Sequence, residues 1–146
     1  MSLFTIGYEE CTADAVLETL KVAGVELLVD VRAVAASRRP GFSKRQLQAG
    51  LAGVGIDYLH LRGLGTPAEG RLAARSGRHG EMRDIFSQHL ATAGAQAEFA
   101  ELVRLIGTGR QVCLLCYERR AEHCHRRVLT ERLRELHGYD AVDLAA

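Results

Sequence analysis

The chain has 146 residues, of which 47% are apolar and 25% are charged, as is typical of one soluble domain of ordinary size. No apolar run approaches the ~18–20 residues that a membrane span requires, so we expect no membrane association. The formal net charge of +1 excludes a protein that attracts nucleic acid through its overall charge. We therefore expect one domain over residues 1–146.

The start of the chain, MSLFTIGYEE, lacks the basic region, apolar stretch and small-residue cleavage site of a secretory signal. We expect a cytoplasmic location, and therefore four reduced cysteines. Seventeen arginines stand against two lysines, and codon bias explains most of them. Arginine clusters still suggest phosphate or carboxylate binding, since the guanidinium fork matches those groups. Two clusters exist: Arg32, Arg38, Arg39 and Arg45, and then Arg119, Arg120, Arg126 and Arg127.

The first half of the chain alternates strand and helix patterns. Short runs of apolar and β-branched residues predict strands, and apolar residues at helical spacing predict helices. A basic loop with a Pro-Gly break separates the second strand from the second helix. The predicted elements are a strand at 3–8, a helix at 12–24, a strand at 25–32, a loop at 37–43, a helix at 43–55 and a strand at 56–65.

The second half begins with a polar, glycine-dotted segment at 66–80, which we interpret as a long loop or lid that holds at most a short helix. Helical spacing of apolar residues then resumes, and two further strands follow. The predicted elements are helices at 81–91 and 96–109, a strand at 111–118, a helix at 124–138 and a strand at 139–145.

This alternation predicts an α/β fold, a mostly parallel sheet of about five strands with helices on both faces. The architecture would be a Rossmann-like half, for which we favour the strand order 3-2-1-4-5. The first and fourth strands would then be neighbours, with the ligand-binding switch point between them.

Titratable residues follow four of the predicted strands. Because parallel strands end at one edge of the sheet, these side chains should converge there. Solvated loop tips would also be polar, but they explain less well two pairs at i and i+2, whose side chains share a face. The residues at the four strand ends are Tyr8 and Glu9; Asp30 and Arg32; His60 and Arg62; and Cys116 and Glu118.

The segment CLLCYERRAEHCHRR at 113–127 concentrates cysteine, histidine and arginine. Cys113 and Cys116 point to opposite faces of an extended strand, so we expect Cys113 in the core. This spacing argues against a zinc knuckle, which needs a tight turn. Cys116 and Cys124 could still gather a metal with His123 or His125, but adjacent histidines rarely both bind, and we assign no metal ligands.

Cys124 lies at the start of the last long helix, where free amide groups and the helix dipole favour anions and acidify a thiol. His125 and Arg126 follow, so this helix start could hold a phosphate or a carboxylate. The alternative is structural: Cys124 would pack the helix start, and Arg126 would pair with Asp30 or Glu118.

Five segments of the chain, TIGY, LLVDVR, SRRPGFS, YLHLRGLG and CYERRAEHCHR, resemble the family called domain of unknown function 488. The resemblance runs from residue 3 to the last strand. Its most specific part is the pattern Cys116-x-Glu118-x5-Cys124-His125-Arg126, followed by Asp30-Val31-Arg32.

The chain departs from the family pattern at three places. Glu9 stands where the family often has serine, Ala35 where it often has proline, and Gly65-Thr66 where it has a glycine pair. The resemblance implies a compact α/β domain with a candidate site, but it implies no particular reaction.

The leading interpretation is a small enzyme that acts on an anionic small molecule or a nucleotide and uses no cofactor. Cys116 would be the nucleophile or thiol base, Glu118 the general acid or base, and Asp30 the group that orients an arginine. The ligand would be bound by residues from the strand ends, the basic loop and the helix start: Tyr8, Arg32, Ser37, Cys124, His125 and Arg126.

Two other interpretations stay open. In the first, the protein is a nucleic-acid-associated binding module, in which the basic loop 37–45 and Arg119, Arg120 and Arg127 bind backbone phosphates. In the second, Cys116 and Cys124 belong to a metal or redox module. The sequence leaves the substrate, the reaction class and the oligomeric state open.

Overall fold

The computed structural model of the protein describes residues 3–146 and contains a five-stranded parallel sheet. The expected α/β class is confirmed, and every strand pair is parallel. The strands are β1 (Leu3–Gly7), β2 (Leu27–Asp30), β3 (Asp57–His60), β4 (Val112–Cys116) and β5 (Ala141–Leu144).

The strand order is β3-β2-β4-β1-β5, so the expected order 3-2-1-4-5 is wrong. β4 lies between β2 and β1, and its register pairs Leu114 with Val29 on one side and with Thr5 on the other. All five residues of β4 are buried, which suits the centre of the sheet, whereas β3 and β5 are partly exposed and form the edges.

The new order also moves the switch point. After β2 the chain crosses one face of the sheet to β3, and after β4 it crosses the other face to β5 in the opposite direction. The crevice therefore opens between the carboxyl ends of β2 and β4, not between β1 and β4 as the sequence suggested.

Helices cover both faces of the sheet. One face is packed by α1 and α2, whose buried residues include Leu20 and Leu51, and the other face is packed by the remaining helices. The helices are α1 (Ala13–Val22), α2 (Lys44–Gly53), α3 (Ala68–Arg75), α4 (His79–Leu90), α5 (Ala93–Gly107) and α6 (Arg126–His137). None of these helices is long and apolar enough to cross a membrane.

The segment at 66–80 holds more regular structure than its glycines suggested. It contains α3, and α4 begins at His79. Arg71 and Arg75 lie four residues apart and share one side of α3, which is the side that borders the crevice. The expected short helix is therefore present, and it forms one wall of the candidate site.

Candidate functional site

A cavity of about 280 Å³ lies at the carboxyl ends of β2 and β4. The loop after β2 forms one side, the segment after β4 forms the floor, and α3 with the start of α4 closes the other side. Its walls mix apolar side chains, hydroxyl groups and arginines. The lining residues are Tyr8, Arg32, Ala33, Val34, Ala36, Ser37, Thr66, Arg71, Ala74, Arg75, Met82, Cys116, Tyr117, Glu118 and His125.

β4 carries Cys116 to the cavity because its side chains alternate between the two faces of the sheet. Cys113 packs with Ile6 and Leu28 against α1 and α2, while Cys116 packs on the opposite face with Leu114. The prediction that Cys113 is a core residue is therefore confirmed. Cys116 itself is 6% exposed, and that exposed part faces the cavity.

The Cys116 sulfur lies close to a histidine and to a carboxyl group. This Sγ atom lies 3.6 Å from His125 Nδ1 and 3.6 Å from Glu118 Oε2. Cys124 Sγ lies 3.7 Å from the same His125 nitrogen and accepts the Arg126 backbone N–H at 3.5 Å. Cys124 is fully buried behind Cys116 and does not line the cavity. The strand end and the helix start therefore meet, as the sequence suggested, but only one of the two thiols faces the cavity.

The orientation of His125 is fixed by a main-chain carbonyl. Its Nε2 lies 2.8 Å from the oxygen of Val31, and a carbonyl can only accept, so Nε2 carries a hydrogen. Nδ1 then points at the two sulfurs, either as an acceptor from a thiol or, when protonated, as a donor to a thiolate. The ring of Phe86 packs edge-on against the imidazole, with the ring centres 4.9 Å apart. His125 is thus placed to exchange one proton with either cysteine.

The negative charge of the cluster is best stabilised on Cys124. Burial raises the pKa of the Cys124 thiol, but the adjacent Cys116 thiol, His125 and Arg126 together lower it well below its ordinary value. The adjacent Cys124 sulfur and burial raise the pKa of Cys116. Burial alone would lower the pKa of His125, yet the Cys124 thiolate beside it raises that pKa. Negative charge is therefore favoured on the Cys124 sulfur rather than on Cys116, and positive charge is favoured on the His125 ring.

Glu118 is a carboxyl group that titrates near neutral pH. Its burial and the negative charge on Cys124 raise its pKa to about 7, and the charge of His125 opposes that rise. The carboxyl faces the cavity beside the Cys116 sulfur. A group with this pKa can give or take a proton at neutral pH, which a carboxyl with its usual pKa does poorly.

Arg126 lies outside the cavity, contrary to the ligand-binding role that the sequence suggested. It is fully buried, and its guanidinium donates to the hydroxyl of Thr5 and to the backbone carbonyls of Glu118 and Arg119 at 3.2, 2.5 and 3.2 Å. Its partners are thus main-chain oxygens and a hydroxyl, rather than the carboxylates expected in the structural alternative. Arg126 holds the segment after β4 in place and supplies positive charge to the Cys124 thiolate.

Asp30 also lies outside the cavity, where it holds Arg32. Its two oxygens accept from Arg32 Nε at 2.9 Å and Nη2 at 2.7 Å, and the hydroxyl of Tyr58 donates to it at 2.6 Å. Burial disfavours the charge of Arg32, but Asp30 outweighs that effect and raises the Arg32 pKa. The role expected for Asp30, orienting an arginine, fits this geometry; Asp30 is a positioning residue rather than one that contacts a ligand.

Arg32 lines the cavity but has little donor capacity left for a ligand. Its remaining nitrogen, Nη1, donates to the hydroxyl of Tyr8 at 3.1 Å and to the carbonyl of Phe42 at 2.7 Å. The Tyr8 ring stacks on Phe42 with the ring centres 4.3 Å apart. Arg32 and Tyr8 thus tie the loop after β2 to β1 and shape the wall. Ser37 stands in the same wall, and its hydroxyl accepts the backbone N–H of Arg39.

The cavity contains two arginines that the sequence analysis missed. Arg71 donates to the carbonyl of Thr66 at 2.9 Å, and Arg75 is exposed at the rim. Both are on α3, within the segment interpreted as a loop, and their spacing of four residues was the signal that could have identified them. They are better placed for an anionic ligand than Arg126.

The two arginine clusters seen in the sequence are dispersed by the fold. Arg32 and Arg126 are buried, and Arg39 donates to the carbonyl of Cys11. Arg127 pairs with Asp143 at 3.2 Å, and Arg120 lies 3.8 Å from Glu122. Five of the eight arginines therefore have separate structural contacts, whereas Arg38, Arg45 and Arg119 are exposed.

The sulfur and nitrogen atoms of Cys116, Cys124 and His125 could also hold a metal ion. The three atoms all lie within 4.8 Å of one another, and all three residues are buried. Thiolates and imidazole are the donors that zinc prefers. The carbonyl of Val31 would then be the second-shell partner of the histidine, as is usual for such ligands.

Comparison with known proteins gives a family but no characterised relative. The family model described as a domain of unknown function, DUF488, matches residues 12–133, which is more than half of the chain. The match includes β2, β4 and the start of α6, and it leaves out β1 and β5. No curated protein and no solved structure matches the chain significantly. The chain belongs to the DUF488 family, whose function is unknown.

Proposed function

We propose that the protein is an enzyme that acts on a small molecule bearing a carboxylate or a phosphate, with Cys116 as the nucleophile. One observation carries this proposal: the Cys116 sulfur faces a cavity and lies 3.6 Å from both a histidine nitrogen and a carboxyl oxygen. A nucleophile with a base in reach, and a base oriented by a third group, is the general pattern of covalent catalysis. The third group here is the carbonyl of Val31.

The proton of Cys116 has a short path away from the sulfur. Two groups could take this proton: Nδ1 of His125 lies 3.6 Å from the Cys116 sulfur, and the Cys124 sulfur lies within 4.8 Å of it. Glu118, with its pKa near 7, is the group that would protonate a leaving group inside the cavity. Each of these groups touches Cys116 or its immediate neighbour, so no ordered water is required.

The anionic part of the substrate would contact α3. Arg75 stands at the rim and Arg71 lies deeper in the same wall, while Thr66 and Ser37 add hydroxyl donors. The other walls, with Ala33, Val34, Ala36, Ala74 and Met82, are apolar. A cavity of about 280 Å³ admits a small metabolite, so the substrate class is a compact anion with an apolar portion.

Iodoacetate and iodoacetamide test this proposal without a known substrate. Both alkylate thiolates, but only iodoacetate carries a carboxylate. We expect Cys116 to be the alkylated residue. We also expect its rate ratio of iodoacetate to iodoacetamide to exceed that of free cysteine by roughly tenfold, since a cationic cleft concentrates anions. Peptide mapping by mass spectrometry identifies the residue, and timed quenching gives the rates.

Two arginine variants make the test specific. Arg75→Ala should remove most of the preference for iodoacetate and leave the iodoacetamide rate unchanged. Arg104→Ala is the matched control, because Arg104 is exposed on α5 and pairs with Glu101. The proposed anion-binding enzyme would be contradicted if Cys124 were alkylated before Cys116. It would also be contradicted if Arg75→Ala kept the wild-type preference for iodoacetate over iodoacetamide.

The donor set favours a second candidate function, a zinc-dependent site. With Zn–S near 2.3 Å and Zn–N near 2.05 Å, a tetrahedral ion separates its sulfur and nitrogen ligands by ~3.6 Å. The two sulfur–nitrogen distances here are 3.6 and 3.7 Å. Elemental analysis of the purified protein distinguishes the candidates: one equivalent of zinc, lost in Cys124→Ser but kept in Cys113→Ala, would favour the metal site.

A further inference from the structure

Two cysteines with unequal access stand side by side in the site. Cys116 lines the cavity, and Cys124 is fully buried directly behind it. Their sulfurs lie within 4.8 Å of each other, and both cysteines are free. A disulfide needs a sulfur separation of about 2.05 Å, so side-chain rotation must bring them together.

We propose that a small hydroperoxide entering the cavity oxidises Cys116, and that Cys124 then closes a reversible disulfide with it. The two residues would have different parts: Cys116 would be the thiol that meets the oxidant, and Cys124 the thiol that resolves the product. This pair differs from two unrelated buried cysteines because one sulfur faces the cavity and the other lies next to it in the interior.

The chemistry balances with the hydroperoxide as the only oxidant. Cys116 passes its proton to the neighbouring base, and its sulfur attacks one oxygen of the peroxide. A sulfur–oxygen bond forms, the oxygen–oxygen bond breaks, and the released oxygen leaves as water or an alcohol after taking that proton. Cys124 then attacks the sulfur of the Cys116 sulfenic acid. The disulfide forms, the sulfur–oxygen bond breaks, and hydroxide leaves as water with a proton from His125. Two thiols lose two electrons in total, and the peroxide gains them.

The other two cysteines provide internal controls. Cys113 and Cys11 are buried on the opposite face of the sheet, among the residues that pack against α1 and α2. Burial raises the pKa of Cys113, so its thiolate is disfavoured as well as inaccessible. Neither residue borders the cavity at Cys116. Oxidation confined to the Cys116–Cys124 pair would therefore reflect the geometry of the site rather than general thiol reactivity.

The disulfide would switch the site off, because it consumes both the nucleophile and its proton acceptor. This consequence rests on the function proposed above, whereas formation of the disulfide does not. A small dithiol would reverse the change by thiol–disulfide exchange and would itself become the oxidised partner. The site would then respond to the balance between peroxide and dithiol.

The full-length protein is treated with stoichiometric hydrogen peroxide and mapped by mass spectrometry without reduction. We expect a mass lower by two hydrogens, a linked peptide pair containing Cys116 and Cys124, and full reversal by dithiothreitol. Cys124→Ser should stop at a Cys116 sulfenic acid that dimedone traps, and Cys124→Ala replaces this variant if it does not fold. Cys113→Ala should form the disulfide at the wild-type rate.

Three outcomes would overturn the inference: oxidation of Cys11 or Cys113 first, conversion of Cys116 to sulfinic acid without a linked peptide, or a bound zinc ion that prevents oxidation. The alkylation experiment tests the proposed enzyme, whereas the oxidation experiment tests the disulfide, so the two proposals can fail independently. If the protein forms the disulfide but shows no preference for iodoacetate, the redox pair is supported and the proposed enzyme is contradicted. The reverse holds if the protein shows the preference but forms no disulfide.

Discussion

At the scale of single residues, buried charge determines what the site around Cys116 can do. Glu118 and Arg126 lie eight residues apart, but Glu118 lines the cavity and Arg126 is fully buried outside it. The carboxyl of Glu118 has the Cys124 thiolate near it, so its neutral form is favoured. The guanidinium of Arg126 instead donates to three oxygen acceptors.

Glu118 should make stability depend on pH. Its pKa of about 7 lies above its ordinary value of 4.5, so the folded protein binds the extra proton between these values. The contribution of Glu118 to the free energy of unfolding is therefore fully present below pH 4.5, and it is lost as pH rises through 7. The loss is at most about 3.5 kcal/mol, since one pKa unit corresponds to about 1.4 kcal/mol. The groups that face Glu118 are Cys116, Cys124 and His125, with Arg126 behind them.

Urea unfolding at pH 5 and pH 8 measures this effect. The wild-type free energy of unfolding should fall more over that range than that of Glu118→Gln, which cannot ionise. Glu135→Gln, an exposed change on α6, should behave like wild type. A Glu118→Gln variant with the wild-type pH slope would show that this carboxyl has an ordinary pKa.

Arg126→Lys should destabilise the fold without changing ligand preference. A lysine keeps the charge but cannot donate to Thr5, Glu118 and Arg119 at once, so at least one buried carbonyl loses its partner. We expect a loss of about 2–4 kcal/mol in the free energy of unfolding. The iodoacetate preference of Cys116 should stay at the wild-type value, because Arg126 lies outside the cavity.

Arg134→Lys on the exposed side of α6 is the control for that variant, and it should change the free energy of unfolding by less than about 0.5 kcal/mol. A stable Arg126→Lys protein that has lost the iodoacetate preference would return Arg126 to the ligand site.

At the scale of elements, the close approach of β1 to the segment after β4 positions the acid of the site. Gly7 ends β1 and pairs with Cys116. A Cβ atom at Gly7 would lie 1.8 Å from the carbonyl oxygen of Glu118 and 3.0 Å from Nη1 of Arg126. Glycine is therefore needed here for space rather than for backbone conformation. The segment that carries Glu118 can rest on β1 only because this side chain is missing.

Gly7→Ala should move Glu118 and slow the chemistry of Cys116. The backbone must shift to accept the methyl group, and this shift separates the carboxyl from the sulfur. We expect Cys116 alkylation by iodoacetate to slow by roughly tenfold or more, since about 1.4 kcal/mol accounts for each factor of ten. Gly94→Ala on α5 is the matched control, because a Cβ there meets nothing within 4 Å. Equal alkylation rates in the two variants would contradict this role for Gly7.

At the scale of the whole molecule, the position of β4 between β2 and β1 creates the site. It places the end of the cysteine strand beside the loop that follows Asp30, and the crossovers that leave β2 and β4 run on opposite faces of the sheet. In the order expected from the sequence, β1 would separate β2 from β4. The cavity between Arg32 and Cys116 would then be interrupted by a strand.

A double-mutant cycle tests this neighbour relation. Val29 and Leu114 are register partners on β2 and β4, fully buried on the same face. Val29→Ala and Leu114→Ala should each destabilise by about 1–4 kcal/mol, and the pair should couple by roughly 0.5–1 kcal/mol. Val29→Ala combined with Leu51→Ala is the control, since Leu51 lies on the opposite face and the two effects should add. Additive effects for Val29 and Leu114 would contradict the strand order.

The sequence by itself determined the element types, the α/β class and the facing of Cys113 and Cys116. These depend on local patterns: apolar runs bounded by glycine, helical spacing, and alternation along a strand. It also located the residues around Cys116, because a strand end and a helix start next to it in the chain must lie close together. The segment at 66–80 was predicted less well, because its glycines favoured a loop and the helical spacing of the arginines of α3 was not recognised.

Only the tertiary structure decided which strands are neighbours, where Arg126 points and which thiol reaches the cavity. Strand order depends on contacts between segments far apart in the chain, and the pattern of one strand does not name its partner. Arg126 looked like an anion binder because its sequence neighbours include free amides at a helix start, but its fork satisfies carbonyls that only the fold brings near. For the same reason, the sequence could not show that Cys116 lines the cavity and Cys124 does not, because burial is a property of the packed molecule and not of the residue.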